Sequence, residues 1–537
     1  MQRIPTSIML QHPDSASRYV PVQDEPQEAV QALTPAGKGG LGLEEVMVDY
    51  EGKVTPYHQT AQIAYGLIQA GVVPGRDVAI TPRLPSCERE NVFRQMMVFM
   101  SALEANAIVY DQSEVWAVRE VILPMASQAK SLLDTRRRLA DVINLAHAEL
   151  DLPIEPNAIS LIPLFEEVPM LVNIKPILDS YISLCRLHGF RDQRIRVMLG
   201  RSDPALSYGM VAAVLAVKLA LAACHELAQE RGVPIAPIAG FGALPFRGHL
   251  TLENLDNFLA DYPGMRTAAV QSGLRYDHGP EKTRRLAEAL RERLPQSEPL
   301  SFTKEERAEI KELIALFSLT YLQVFYDLPP YVNAIADFIP SQRDRLVEKK
   351  SPIGYVRDLP RPERLSAMTQ DEELARQLQK LPYNSVDKLP RAIKYTAALY
   401  TIGLPPEFIG TGRGLQRLKE RSGEEGLARL LRFYPGLVAD LTFAARYVNL
   451  DIARHFLPRQ VLSLLEEDTR IVAQWLDIPL GPNCHEDAYY HTILEALRPM
   501  LKDLLNSGHS LLADQGMERE LITRWIKKLG TLRGSLG

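Results

Sequence analysis

The sequence predicts an α/β fold: a (β/α)8 TIM-barrel-like core enlarged by many added α-helices. Three observations predict it. Short apolar runs alternate with helical patterns between about residues 76 and 280. Polar residues collect just after those runs, where an α/β barrel builds its site. From about residue 303 onward only helical periodicity remains.

Taken in order, DVAITPRLP (77–85), AISLIPLFE (158–166), RIRVMLGRSDP (194–204), PIAPIAGFGALPFRG (234–248) and RTAAVQSGLRYD (266–277) each read as a strand. Each is aliphatic or β-branched for a few residues and then turns polar, as strands buried on both faces do. Glu114–Leu150 and Met210–Arg231 read as the helices between them, with Arg136–Arg138 on a solvated face. Later stretches such as FTKEERAEIKELIALFSLTYL and GLARLLRFYPGLVADLTFAARYV are helical, and Pro-rich joints at 328–340 and 352–362 separate them. The expected organisation is one unit, with an N-terminal arm (1–40), a barrel core (about 41–300) and a helical part (about 301–537). There is no fixed-period repeat.

The chain has 537 residues, 46% hydrophobic and 24% charged, which excludes a disordered chain, a fibre and a disulfide-built mini-protein. A net charge of −5 argues against a nucleic-acid partner. Cys87, Cys185, Cys224 and Cys484 show no CxxC spacing, which suggests reduced thiols and a cytoplasmic protein. The most apolar stretch, Met210–Cys224, is short for a bilayer and is interrupted by Lys218, so no membrane is expected. The N-terminus lacks the apolar core of an export signal.

Four local strings carry candidate chemistry. Gln11-His12-Pro13-Asp14 places a histidine at a proline-fixed turn, suited to moving protons near neutral pH, although an exposed histidine in an arm is the plainer reading. LIPLFEE (161–167) and RVMLGRSDP (196–204) put Glu166 and Asp203 just past strands. Two such carboxylates, with waters and substrate oxygens, suit octahedral Mg²⁺ or Mn²⁺. Singly, each is better explained as a helix cap. The fourth string is an arginine set, with Arg247 in PFRGH and Arg391 in LPRAIKYT, joined by Arg83, Arg201 and Arg275 beyond other runs. Arginines on such turns suit bidentate grip on phosphate or carboxylate, and a surface ion pair is the usual alternative for any one. Cys484, His485, Glu486 and His491 are a weaker metal candidate. No GxGxxG, P-loop or biotin-attachment sequence is present.

Together these strings resemble the phosphoenolpyruvate carboxylases, most closely their shorter archaeal-type branch. IPTSIMLQHPDS (4–15), VDYEGKVTPYHQTAQ (48–62), PRLPSCERENVFRQ (82–95), LIPLFEEVP (161–169), GRSDPALSYG (200–209), FRGHLTLEN (246–254), YPGMRTAAVQSGLRYD (262–277) and LPRAIKYTAALYTIGLPPEFIGTG (389–412) occur in the family's order across nearly the whole chain. The resemblance implies metal ligands at Glu166 and Asp203 and catalytic roles for His12 and Arg247. It implies substrate or phosphate binding at Arg83, Arg275, Arg391, Gly248 and Gln271. Two departures stand out. FRGH replaces the HGRGG loop of the larger branch, and Leu206 stands where that branch has a lysine. Arg201, two residues before Asp203, is the cation expected to take over.

The implied reaction is carboxylation of phosphoenolpyruvate by bicarbonate, through carboxyphosphate and the enolate of pyruvate, with Mg²⁺ or Mn²⁺ and no biotin. A homotetramer that supplies oxaloacetate to the TCA cycle is the implied setting. Another barrel lyase or aldolase acting on an enolate, and a non-catalytic phosphoenolpyruvate sensor, are the alternatives.

Overall fold

Eight parallel strands close into a barrel in chain order: β1 (Ser7–Leu10), β2 (Glu45–Asp49), β3 (Ala79–Arg83), β4 (Glu120–Leu123), β5 (Ser160–Phe165), β6 (Ile195–Gly200), β7 (Ile235–Gly240) and β8 (Thr267–Val270). They are seen in a computed structural model that describes residues 3–11, 15–87, 90–344, 360–382, 389–506 and 515–537. Closure comes from β1, which pairs with β2 on one side and β8 on the other, with Ile8 facing Glu45 and Ala269.

That pairing corrects the expected domain layout. The segment 1–40 is not an arm, because β1 is a barrel strand and a helix, Glu25–Leu33, follows it. Glu114–Leu150 is not one helix either. A helix over Val92–Ser113 ends at Glu114, β4 follows, and a second helix begins at Ala129. Arg136 is not solvated: its guanidinium is buried and meets Asp192 at 3.0 Å. The five strands expected from apolar runs are β3 and β5 to β8.

Alternation along each strand divides the core. Ile8, Leu10, Met47, Ile122, Ile162, Leu164, Met198, Ile238 and Ala269 fill the barrel interior as a cluster of their own. Their neighbours Met9, Val46, Leu161, Val197 and Leu199 face the surrounding helices. Beneath the apolar layer, at the N-terminal strand ends, Arg196 is fully buried and paired with Glu45 at 2.6 Å and Glu120 at 2.9 Å. Removing one partner of a buried pair strands the other charge, which costs about 3–5 kcal/mol. Arg196→Met is therefore expected to lower the melting temperature without touching the opposite, C-terminal face of the barrel. An unchanged melt would contradict that placement.

The long helix Met210–Arg231 is 89% buried in its most apolar window and continues past the apolar run that suggested it. By length and composition it and Val92–Ser113 could each cross a membrane. In this fold Lys218 of the buried helix donates from Nζ to the carbonyl of Asp261 at 2.6 Å. The helical part begins with a capping box at Thr303 and Glu306, and the helix it starts, Lys304–Phe325, packs along Met210–Arg231. A further helix, Ala392–Thr401, packs against the short helix Ser202–Tyr208 after β6. The helical part therefore covers the barrel mouth.

Candidate active site

At that mouth lies a cavity of about 130 Å³. Glu51, Arg83, Glu166, Arg201, Asp203, Arg247, Gln271 and Arg391 all line it, over an apolar floor of Leu10, Met47, Leu164 and Met198. The β5–β6 corner supplies both expected metal carboxylates. Glu166 follows Phe165, the last residue of β5, and Asp203 stands in the first turn of Ser202–Tyr208. The N-cap residues of the two short helices that follow are Glu167 and Arg201, and neither caps through its side chain. Gly200 lets the two strand ends meet: a Cβ there would sit 3.2 Å from Glu166 Cγ.

The arginines divide by what already holds them. Arg247 donates from Nε to Ser202 Oγ at 3.0 Å and from Nη2 to Gln271 Oε1 at 2.8 Å, while Nη1 bonds the Gly537 carbonyl. Arg391 is the N-cap residue of Ala392–Thr401, so its place comes from the helical part. Arg201 is fully buried and bonds only neutral groups, Tyr262 Oη and the Phe246 carbonyl, both at 3.3 Å. Its Nη2 has no hydrogen-bond partner among the described residues. Burial works against its charge, but the Tyr262, Tyr434 and Asp440 oxygens outweigh that and raise its pKa.

Arg83 lines the cavity but is held by acids. Nε and Nη2 reach Asp49 at 2.8 and 3.1 Å, and Nη1 reaches Glu51 at 2.7 Å. It positions carboxylates rather than offering a spare charge to phosphate. Arg275 is not at the cavity. It pairs with Glu28 at 2.8 Å and bonds the Leu10 carbonyl, tying the end of β8 to the N-terminal segment. Gly248 is also outside the lining; its φ of +123° and a Cβ position 2.6 Å from Phe241 explain the glycine by the turn it makes. His12 lies outside the described residues.

The sequence profile of the phosphoenolpyruvate carboxylase family matches residues 4–537. The chain belongs to that family. A phosphoenolpyruvate carboxylase of Methanopyrus kandleri is 40% identical over 100% of this chain and 99% of its own length. One from Methanosarcina acetivorans is 39% identical over 99% of both chains, and one from Leuconostoc mesenteroides is 31% identical over 92% of this chain and 94% of its own.

For a phosphoenolpyruvate carboxylase family member the donor set at β5 and β6 is a fair fit to a hard divalent cation. No group of three or more His, Cys, Asp or Glu gathers as metal ligands among the described residues, so a closed protein cage is absent, including at Cys484–His491. Mg²⁺ usually takes one or two carboxylates and fills its remaining positions with water and substrate oxygens, which Glu166 and Asp203 at an open cavity permit. Sequence reasoning missed Glu51 and Lys394 in this lining. Glu51 lies two residues past β2, and Lys394 lies in the RAIKYT string that flagged Arg391, so each was next to a signal already in view.

Proposed function

We propose that this chain carboxylates phosphoenolpyruvate with bicarbonate at the barrel mouth, forming oxaloacetate and phosphate with Mg²⁺ or Mn²⁺ and without biotin. The observation that carries the reading is a single cavity lined by Glu166, Asp203, Arg201, Arg247 and Arg391, which come from four separate stretches of chain.

Phosphoenolpyruvate is anionic at both its phosphate and its carboxylate. Arg247 and Arg391 bind the phosphoryl oxygens, and Gln271 and Ser202 hold the Arg247 guanidinium in one orientation for that task. Bicarbonate attacks phosphorus, giving carboxyphosphate and the enolate of pyruvate. A divalent cation held by Glu166 and Asp203 would supply concentrated positive charge beside the oxygens that become negative. Arg201 adds a fixed positive charge from a dry position. His12 accepts the proton as carboxyphosphate breaks to CO₂ and phosphate, and the enolate carbon then attacks CO₂. Leu10, Met47, Leu164 and Met198 limit water that would otherwise protonate the enolate. The same reading carries a cytoplasmic homotetramer that replenishes the TCA cycle, for which sedimentation as a tetramer is the expected result.

The test is oxaloacetate formation followed by NADH oxidation through a coupled dehydrogenase. It should require phosphoenolpyruvate, bicarbonate and a divalent cation together. Binding without turnover would favour a sensor, and enolate chemistry without bicarbonate would favour a lyase. His12→Asn is expected to keep bicarbonate-dependent phosphate release while oxaloacetate formation collapses. A time course of phosphate, pyruvate and oxaloacetate checks this, and near-normal oxaloacetate would remove the assigned role.

A further inference from the structure

Glu51 is the buried acid at the cavity that the proposed chemistry does not use. It is 2% exposed and lines the same cavity as Glu166 and Arg391. One oxygen, Oε2, is taken by Arg83 Nη1 at 2.7 Å. The other, Oε1, is buried and has no hydrogen-bond partner among the described residues. The residue is held in place from both sides: its backbone N–H donates to Asp49 Oδ1 at 3.1 Å, and Asp49 grips the same Arg83. At Gly52 the chain turns with φ of +61°, and a Cβ there would stand 2.7 Å from Arg391 Nη2, so the Arg391 guanidinium lies against this turn.

An acceptor oxygen left over in a dry site calls for a ligand that carries a donor. Fully ionised phosphoenolpyruvate carries none, and its phosphate and carboxylate would be repelled by Glu51. Bicarbonate carries one O–H together with a delocalised negative charge. We propose that Glu51 Oε1 and Arg391 form the bicarbonate subsite, the carboxylate accepting a hydrogen bond from the bicarbonate hydroxyl and the guanidinium, whose other N–H groups face the phosphoryl oxygens, meeting its charge. This inference rests on the carboxylase reading above and deepens it. Holding bicarbonate by its hydroxyl leaves its charged oxygens to face the phosphoryl group, which is the orientation the first step needs.

Glu51→Gln tests this directly. Its amide oxygen can keep the bond to Arg83 Nη1, which places the NH₂ group at the Oε1 position and turns the acceptor into a donor. The expected result is a fall of at least about tenfold in kcat/KM for bicarbonate, with the KM for phosphoenolpyruvate within about twofold of wild type and an unchanged melt. Glu51→Asp keeps an acceptor but withdraws it by one methylene, so a smaller loss confined to bicarbonate is expected. Equal losses toward both substrates in these variants would show that Glu51 acts only through Arg83 and would overturn the subsite. Normal bicarbonate kinetics in Glu51→Gln would overturn it too, because a protonated, donating Glu51 is well mimicked by the amide. The carboxylase reading fails separately, if the wild-type chain forms no oxaloacetate from phosphoenolpyruvate and bicarbonate.

Discussion

Asp203→Asn and Glu166→Gln are each expected to remove most carboxylation and to raise the Mg²⁺ concentration needed for what remains, with little change in melting temperature. Both amides keep size and shape, but they lose the negative charge and put a donor NH₂ where one ligating oxygen was. The two residues leave adjacent strands, β5 and β6, and Gly200 lets those strand ends meet closely enough for both to serve one cation. Charge stabilisation by such a cation contributes several kcal/mol to a transition state, so a loss of about 4 kcal/mol is expected. That corresponds to a factor on the order of 10³ in kcat/KM. Titrating activity and melting temperature against Mg²⁺ for each variant checks the claim. Wild-type metal dependence in both variants would reduce the two carboxylates to features of the helix starts that follow them.

Arg201→Met is expected to cost about 2–4 kcal/mol of transition-state stabilisation, roughly 30- to 1,000-fold in kcat/KM. The structure sharpens the reason. A buried cation normally sits against a carboxylate, because desolvating a lone charge is expensive. Among the described residues Arg201 has neutral hydrogen-bond partners and an Nη2 without one, at a cavity that binds anions in the proposed reaction. Leu206 does not contribute: its side chain is fully buried, and its carbonyl accepts from Tyr321. Lys394 is the rival source of charge at the cavity, arriving from the helical part. Kinetics and melting measured together separate the readings. Near-normal kcat/KM with a lowered melt would give Arg201 a structural role and pass the catalytic one to Lys394.

What was legible in the sequence followed from burial on two faces. β5 to β8 announce themselves because nearly every residue on both sides of each strand is apolar or small, with Arg196 at the start of β6 the one charge among them. β2 and β4 do not, for a specific reason. Their inward-facing acids Glu45, Asp49 and Glu120 look like solvent-facing residues in one dimension, and their partners Arg196 and Arg83 arrive from other strands. β1 is only four residues long and ends just before the polar string that drew attention to His12. The same limit governed the arginines. Arg83 and Arg275 sit at the predicted strand ends, but Asp49 with Glu51 and Glu28, respectively, already occupy them. A sequence shows where a guanidinium can be; it does not show which acid reaches it first.

Barrel closure and site assembly fall at different points along this chain. The eighth strand ends at Val270, and by then every barrel strand exists, so β1 can find β8 across a long intervening loop. Arg391 and Lys394 are then still more than a hundred residues away in the direction of synthesis. A nascent chain of that length could close its barrel and hold both metal carboxylates while lacking part of its grip on phosphate. Metal affinity and full substrate affinity should therefore appear one after the other as the polypeptide emerges, and an interrupted product would bind the cation while holding phosphoenolpyruvate more weakly than the whole chain does.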